Sequence, residues 1–186
     1  LASATTDYDS TAVGRDALIA FTTGNQCNAF GVDSMKTGQT ITQCNAFGNL
    51  SLSAFTGNGP NNAFGQQALQ DCTTGNANSA FGHDVGREIT TGSYNTGMGH
   101  AALQSLTTSD SNTAVGSSAL SSCTTGQRND AFGASALQSI TTGMDNIGIA
   151  RQSFPNLTTG NGNVGIGNIG VISQLFNVTT ESDRLL

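Results

Sequence analysis

The sequence predicts an all-β chain: a parallel β-solenoid or β-roll of about ten coils, each 17 residues long. Three observations carry that prediction. The tetrapeptide NAFG stands at 28–31, 45–48 and 62–65. Stepping its glycine by 17 gives Gly14, Gly31, Gly48, Gly65, Gly82, Gly99, Gly116, Gly133, Ala150 and Gly167, with no insertion anywhere. In that register, side chains agree down columns in size and polarity, as they do when each coil buries its apolar residues only by stacking on its neighbours. Seventeen residues are too few for a helix pair with its turns, which takes roughly 30 or more. Each coil is therefore built of short strands about 4.8 Å from the next, and ten coils make a rod of about 48 Å.

The elements of one coil follow in order. An asparagine column opens it, with Asn61, Asn78, Asn95, Asn112, Asn129, Asn146 and Asn163 in seven consecutive coils, after Ser10, Cys27 and Cys44 in the first three. Stacked at strand spacing, such amides hydrogen-bond along the row as a ladder. Two residues on comes a column of tiny residues, Ala12, Ala29, Ala46, Ala63, Ala80, Gly97, Ala114, Ala131, Gly148 and Gly165. Next to it is a large apolar column: Phe30, Phe47, Phe64, Phe81 and Phe132, with Val13, Met98, Val115, Ile149 and Ile166.

Adjacent strand residues point to opposite faces, so these two columns cannot share one core. The expectation is that the phenylalanines fill the coil interior and the tiny column faces outward. There it lets another chain approach closely about a symmetry axis; a monomeric solenoid that tolerates exposed alanine is the alternative. The anchor glycine supplies the bend. Four residues later stand Leu18, Met35, Leu52, Leu69, Gly86, Leu103, Leu120, Leu137, Phe154 and Val171, and seven later a second apolar column running from Phe21 to Leu157 and ending at Gln174. Turns are then written as TTG at 22–24, 73–75, 90–92, 124–126, 141–143 and 158–160. The second coil, GVDSMKTGQTITQCNAFG, has Gly38 in place of an apolar residue and Ile41 where turns fall, which predicts a local distortion.

Composition narrows the function classes. Charged residues are 10% and aromatics 6%, with 24 glycines, neither ordinary globular usage nor the charge-rich signature of disorder. A net charge of −6, with six Lys plus Arg scattered singly, argues against nucleic acid as a partner. No apolar run approaches the length of a membrane span, so membrane insertion is not expected.

The consensus N-T-A-V-G-x-x-A-L-x-x-x-T-T-G-x-x-N, best seen as NTAVGSSALSSCTTGQRN at 112–129, resembles repeats of phage and viral tail fibres and of trimeric surface adhesins. Such fibres often end in a self-cleaving intramolecular chaperone of the endosialidase type. The final TTESDRLL, with Ser182, Asp183, Arg184 and Leu185, resembles the start of that junction, although the chaperone body is absent. The resemblance implies a homotrimeric fibre, extracellular on a virion tail or cell surface, whose shaft or head attaches to a host, with a cell-surface glycan or receptor as partner. The organisation expected is a lead-in at 1–9, solenoid repeats at 10–171 and a junction-like tail at 172–186.

Single residues add little chemistry. Cys72 and Cys123 fall in the second apolar column and read as buried small hydrophobes. Cys27 and Cys44 lie one coil apart in the asparagine column, at a spacing that suits a disulfide or two stacked free thiols. His83 and His100 stack just after the anchor glycine, in a polar column with Arg15, Asn49, Gln66 and Ser117, and Asp16, Asp33 and Asp84 share the next one. Solvated surface is the expected reading for both, with no metal site. Sequons begin at Asn49, Asn156 and Asn177. No nucleophile, phosphate-loop or zinc-protease motif occurs, so no catalytic residue, cofactor or enzyme activity is expected. The alternative functions are an ice-binding solenoid using the threonine rows and, behind it, a glycan-processing tailspike, which would need paired carboxylates.

Overall fold

A computed structural model describes residues 6–167 of the chain, the first three in backbone only. Residues 1–5, the tail 172–186, Val171, Gln174, Asn177 and the junction-like Ser182–Leu185 lie outside the described residues. Among those described there is no helix. Thirteen short strands occur: β1 (Thr6–Tyr8), β2 (Thr11–Val13), β3 (Thr23–Asn25), β4 (Asn28–Phe30), β5 (Thr40–Thr42), β6 (Asn45–Phe47), β7 (Asn61–Phe64), β8 (Asn78–Phe81), β9 (Thr96–Met98), β10 (Thr113–Val115), β11 (Asp130–Phe132), β12 (Ile147–Ile149) and β13 (Val164–Ile166).

They form a parallel β-solenoid. One long sheet runs β13-β12-β11-β10-β9-β8-β7-β6-β4-β2, and a three-stranded sheet, β1-β3-β5, accompanies only the first coils. Every pairing is parallel and steps by one repeat, as in Ala12↔Ala29, Ala63↔Ala80 and Ala131↔Gly148. The period read in the sequence is thus the physical coil.

The anchor glycines show why the column is nearly invariant. Their φ lies between +111° and +144°, a region that side-chain-bearing residues rarely adopt. A Cβ at Gly48 would meet the Gly65 carbonyl oxygen at 2.3 Å, so backbone of the next coil occupies the place of the side chain.

The two expected faces of the strand are exchanged. Ala29, Ala46, Ala63, Ala114 and Ala131 are fully buried, whereas Phe30, Phe47 and Phe64 are half-buried and Phe81, Met98, Phe132 and Ile149 exposed. The phenylalanines are therefore not the interior, and the tiny column is not the approach surface. The reason is room. The interior is already filled by the two later apolar columns, from Leu18 to Phe154 and from Phe21 to Leu157, which are buried throughout. A methyl added at Gly97 would come within 2.4 Å of Val85 Cγ1, and one at Gly148 within 2.8 Å of Leu137 Cγ. A ring could not enter there.

Departures from the consensus are matched in volume. Val85 and Gly86 replace the usual alanine–leucine pair, so bulk lost at one position returns at its neighbour. At the second coil, a Cβ on Gly38 would meet Ile41 Cδ1 at 2.8 Å. Ile41 is fully buried and fills the gap, and its strand β5 pairs in regular register with β3 of the coil before, Gly24↔Ile41, so the exchange is absorbed without a break in the ladder. The Leu18-to-Phe154 column is held at φ between +46° and +56°, including Gly86. That left-handed geometry costs a side-chain-bearing residue about 1–2 kcal/mol, which burying a leucine, worth about 1.5–3 kcal/mol, offsets.

Candidate functional site

The outer face of the long sheet is the most distinctive surface. Because alanine takes the inward position, the next residue must point out, and the large apolar column forms a stripe along all ten strands. At about 4.8 Å per strand it is about 43 Å long. Phe30, Phe47, Phe64 and Phe81 stack with ring centroids 4.7, 4.9 and 5.0 Å apart and planes within 8°. Met98, Val115, Phe132, Ile149 and Ile166 continue the line, Met98 at 48% and Ile166 at 63% exposure. The flanking outward column begins polar, with Asn28 Nδ2 donating to Asn45 Oδ1 at 3.0 Å and Asn45 Nδ2 to Asn62 Oδ1 at 2.9 Å. It ends apolar at Ile147 and Val164, so the stripe widens at the last coils.

Asparagines 61, 78, 95, 112, 129, 146 and 163 form the expected ladder, on the inside of the coil and all essentially buried. Asn112 shows the full pattern. Its Nδ2 donates to Asn95 Oδ1 at 3.2 Å and to the Gly126 carbonyl at 3.0 Å, while its Oδ1 accepts from the Asn129 backbone N–H at 3.0 Å and from Asn129 Nδ2 at 3.2 Å. Each amide thus ties its own turn to the coils on either side. This ladder is structural and offers nothing to a ligand.

Cys27 and Cys44 stand in the same column as buried, unbridged thiols. Each donates to a carbonyl across the coil: Cys27 Sγ to Ile41 O at 3.5 Å, and Cys44 Sγ to Gly59 O at 3.1 Å. That is the role the asparagine Nδ2 takes later, which satisfies the thiols without a bridge. The hydrogen-bonded Cys27 thiol, and then burial, push Cys44 well above the ordinary cysteine range. Cys72 and Cys123 are buried in the second apolar column, as expected, and burial pushes them up to about 12 and about 11. Cys44, Cys72 and Cys123 are therefore poor nucleophiles at neutral pH.

The threonine pairs divide by face. The first of each pair is tied into the coil, as where Thr73 Oγ1 donates to Thr90 O at 3.1 Å and Thr90 Oγ1 to Thr107 O at 3.2 Å. The second, at Thr74, Thr91, Thr108, Thr125, Thr142 and Thr159, is exposed in six successive coils.

His83 and His100 stack with centroids 5.4 Å apart and planes within 4°. His83 Nδ1 lies 3.0 Å from Asp84 Oδ2, while Asp33 pairs with Lys36 at 3.1 Å. Asn49 is half-buried, donating Nδ2 to Val32 O at 3.2 Å, and Asn156 is exposed.

What sequence reasoning missed is the stripe itself. A signal was present: the tiny column never exceeds alanine, the mark of the crowded side, whereas the large column varies freely among Val, Phe, Met and Ile. Comparison with protein-family models, curated proteins and solved structures gives no match.

Proposed function

We propose that this chain is a structural fibre segment that associates lengthwise with copies of itself, as a homotrimer, and serves attachment to a host or surface. The observation that carries the reading is the apolar stripe. A continuous row of ten large hydrophobics, six exposed and four half-buried, marks an interaction surface, and a straight row repeating at the coil spacing suits a partner of the same spacing, which a second copy in parallel register supplies. The thin coil has a core limited to short columns, which favours association. The resemblance of the repeats to tail fibres and trimeric adhesins agrees with this role and with an extracellular setting; a glycan array would identify a receptor.

Mass photometry tests the association. The expected species is three times the 18.9 kDa chain mass, and exchanging Phe64, Phe81 and Phe132 for serine returns single chains that keep their β-sheet circular dichroism. Single wild-type chains at all concentrations would reject the trimer. The exposed threonine row favours a second reading, ice binding. It is one row rather than a flat lattice, since its neighbours Asn76, Ser93, Asp110, Gln127 and Met144 are chemically mixed. Inhibition of ice recrystallisation that a Thr108→Val and Thr125→Val variant loses would promote that reading over the fibre.

A further inference from the structure

The histidine stack does more than decorate the surface. Among the described residues, His83, Asp84 and His100 are the one group of three His, Cys, Asp or Glu donors whose ligand atoms lie within 4.8 Å of one another. The fold brings them together by two separate devices. The 17-residue step sets His100 directly over His83 on the next coil, with the rings parallel at 5.4 Å. The turn after the anchor glycine, with Asp84 at φ +57°, folds the carboxylate back beside the first ring, 3.0 Å from Nδ1.

The carboxylate also keeps an unused acceptor. Asp84 Oδ1 is buried and makes no hydrogen bond, although Oδ2 faces His83. Arg87, the cation of the same coil, is held by Glu88 at 2.8 Å. The rings stay exposed, His83 with 44% of its side chain open to solvent, so an ion can reach them.

We propose that His83, Asp84 and His100 form a surface site for a divalent transition-metal ion of the zinc class, bound by one ring nitrogen from each histidine and a carboxylate oxygen. Two imidazoles and one carboxylate are a donor set that selects zinc-like ions over magnesium or calcium, which prefer oxygen. In a tetrahedral zinc site, with metal–ligand distances of about 2.0–2.2 Å, the donor atoms stand about 3.3 Å apart. The Asp84–His83 pair, at 3.0 Å, is already within a few tenths of an ångström of that separation, and the exposed His100 ring needs only to lean in. Three protein ligands leave a fourth position for water or for a donor from another molecule. The site would span coils 83–99 and 100–116 and so clamp two neighbouring coils together. It rests on this cluster alone and does not depend on the fibre reading.

With only two histidines in the chain, proton NMR gives a direct test, because each imidazole contributes one separable Hε1 signal. Adding ZnCl2 to the full chain at pH 7.5 is expected to move both signals together and to saturate at one ion per chain, whereas MgCl2 leaves them unmoved. Two variants keep the fold, since they use residues the same column already carries in adjacent coils: His83→Gln, as at Gln66, and His100→Ser, as at Ser117. Each should weaken zinc binding, read by calorimetry, about tenfold or more. Movement of one histidine alone, absence of saturation at one equivalent, or either variant binding zinc as tightly as the wild type would overturn the site.

Discussion

The coils before Gly59–Pro60 and those after it solve one problem with different chemistry. In the first set the inward polar column holds Ser10, Cys27 and Cys44; from Asn61 onward it holds only asparagine. Both sets keep the same core duty, accepting the backbone N–H of the column residue one coil on. Ser10 Oγ accepts from Cys27 N at 3.2 Å, and Asn61 Oδ1 accepts from Asn78 N at 3.0 Å. They differ in donors. A thiol has one weak donor, and the Cys27 bond to Ile41 O is 3.5 Å long. An amide has two strong ones, and Asn61 reaches the Gly75 carbonyl at 2.8 Å.

The backbone records the difference. The segments just before Ser10, Cys27 and Cys44 pair as β1-β3-β5; from Asn61 to Asn163 the equivalent segments form no strand, and a carbonyl 14 residues on accepts a strong amide bond, as Gly92 O does from Asn78 Nδ2 at 2.9 Å. Buried backbone groups must find partners somewhere, and the side chain available decides where. Proline at position 60 marks the join, with its φ fixed near −65° where Gln26, Gln43 and Ala77 of the same column have φ of +56°.

The contrast can be broken most severely in the ladder. Asn112→Leu leaves the buried Asn129 N–H without its acceptor and takes from the Gly126 carbonyl one of its three donors, Ser109 Oγ and Cys123 Sγ remaining. At about 1–3 kcal/mol for the orphaned N–H and about 1 kcal/mol for the lost amide bond, it should cost roughly 2–4 kcal/mol in a urea melt. Alkaline unfolding, taken per thiol and per pH unit, gives the next effect and separates the thiols by position. Burial raises Cys72 and Cys123 from the ordinary 9.0 to about 12 and about 11, so the folded chain prefers the neutral thiol. The stabilisation is complete below pH 9, where both states are protonated, and is lost as pH climbs from 9 towards 11–12, by up to about 1.4 kcal/mol per thiol per pH unit. Cys72→Ile, a residue its column carries at Ile89 and Ile140, should flatten that fall in a melting-temperature series. The smallest effect belongs to Cys44→Ala, which gives up weak sulfur bonds in the first region and should cost about 1 kcal/mol. If it matched Asn112→Leu, the two regions would not differ as described.

Several features were legible in the residues themselves. The anchor glycines, the ladder from Asn61 to Asn163 and the buried Cys72 and Cys123 all follow from residue type repeated at a fixed step, because stacking makes each residue its own neighbour. The thiol-to-carbonyl bonds of Cys27 and Cys44 were not legible, since spacing alone does not show that the carbonyls of Ile41 and Gly59 stand across the coil. Nor was the union of Asp84 with the two histidines. The 17-residue step stacks His83 and His100, but the carboxylate joins them only through the left-handed turn at Asp84.

The sequence by itself determined the coil, its period, its parallel register and the need for glycine at each bend. The tertiary structure alone decided which face of the strand is the inside. Alternation requires Ala and Phe to part company but is indifferent to which goes in. That choice belongs to the space between facing walls, where Leu18, Phe21 and their column-mates already fill the interior, leaving a methyl's width to the strand and sending the phenylalanines to the surface.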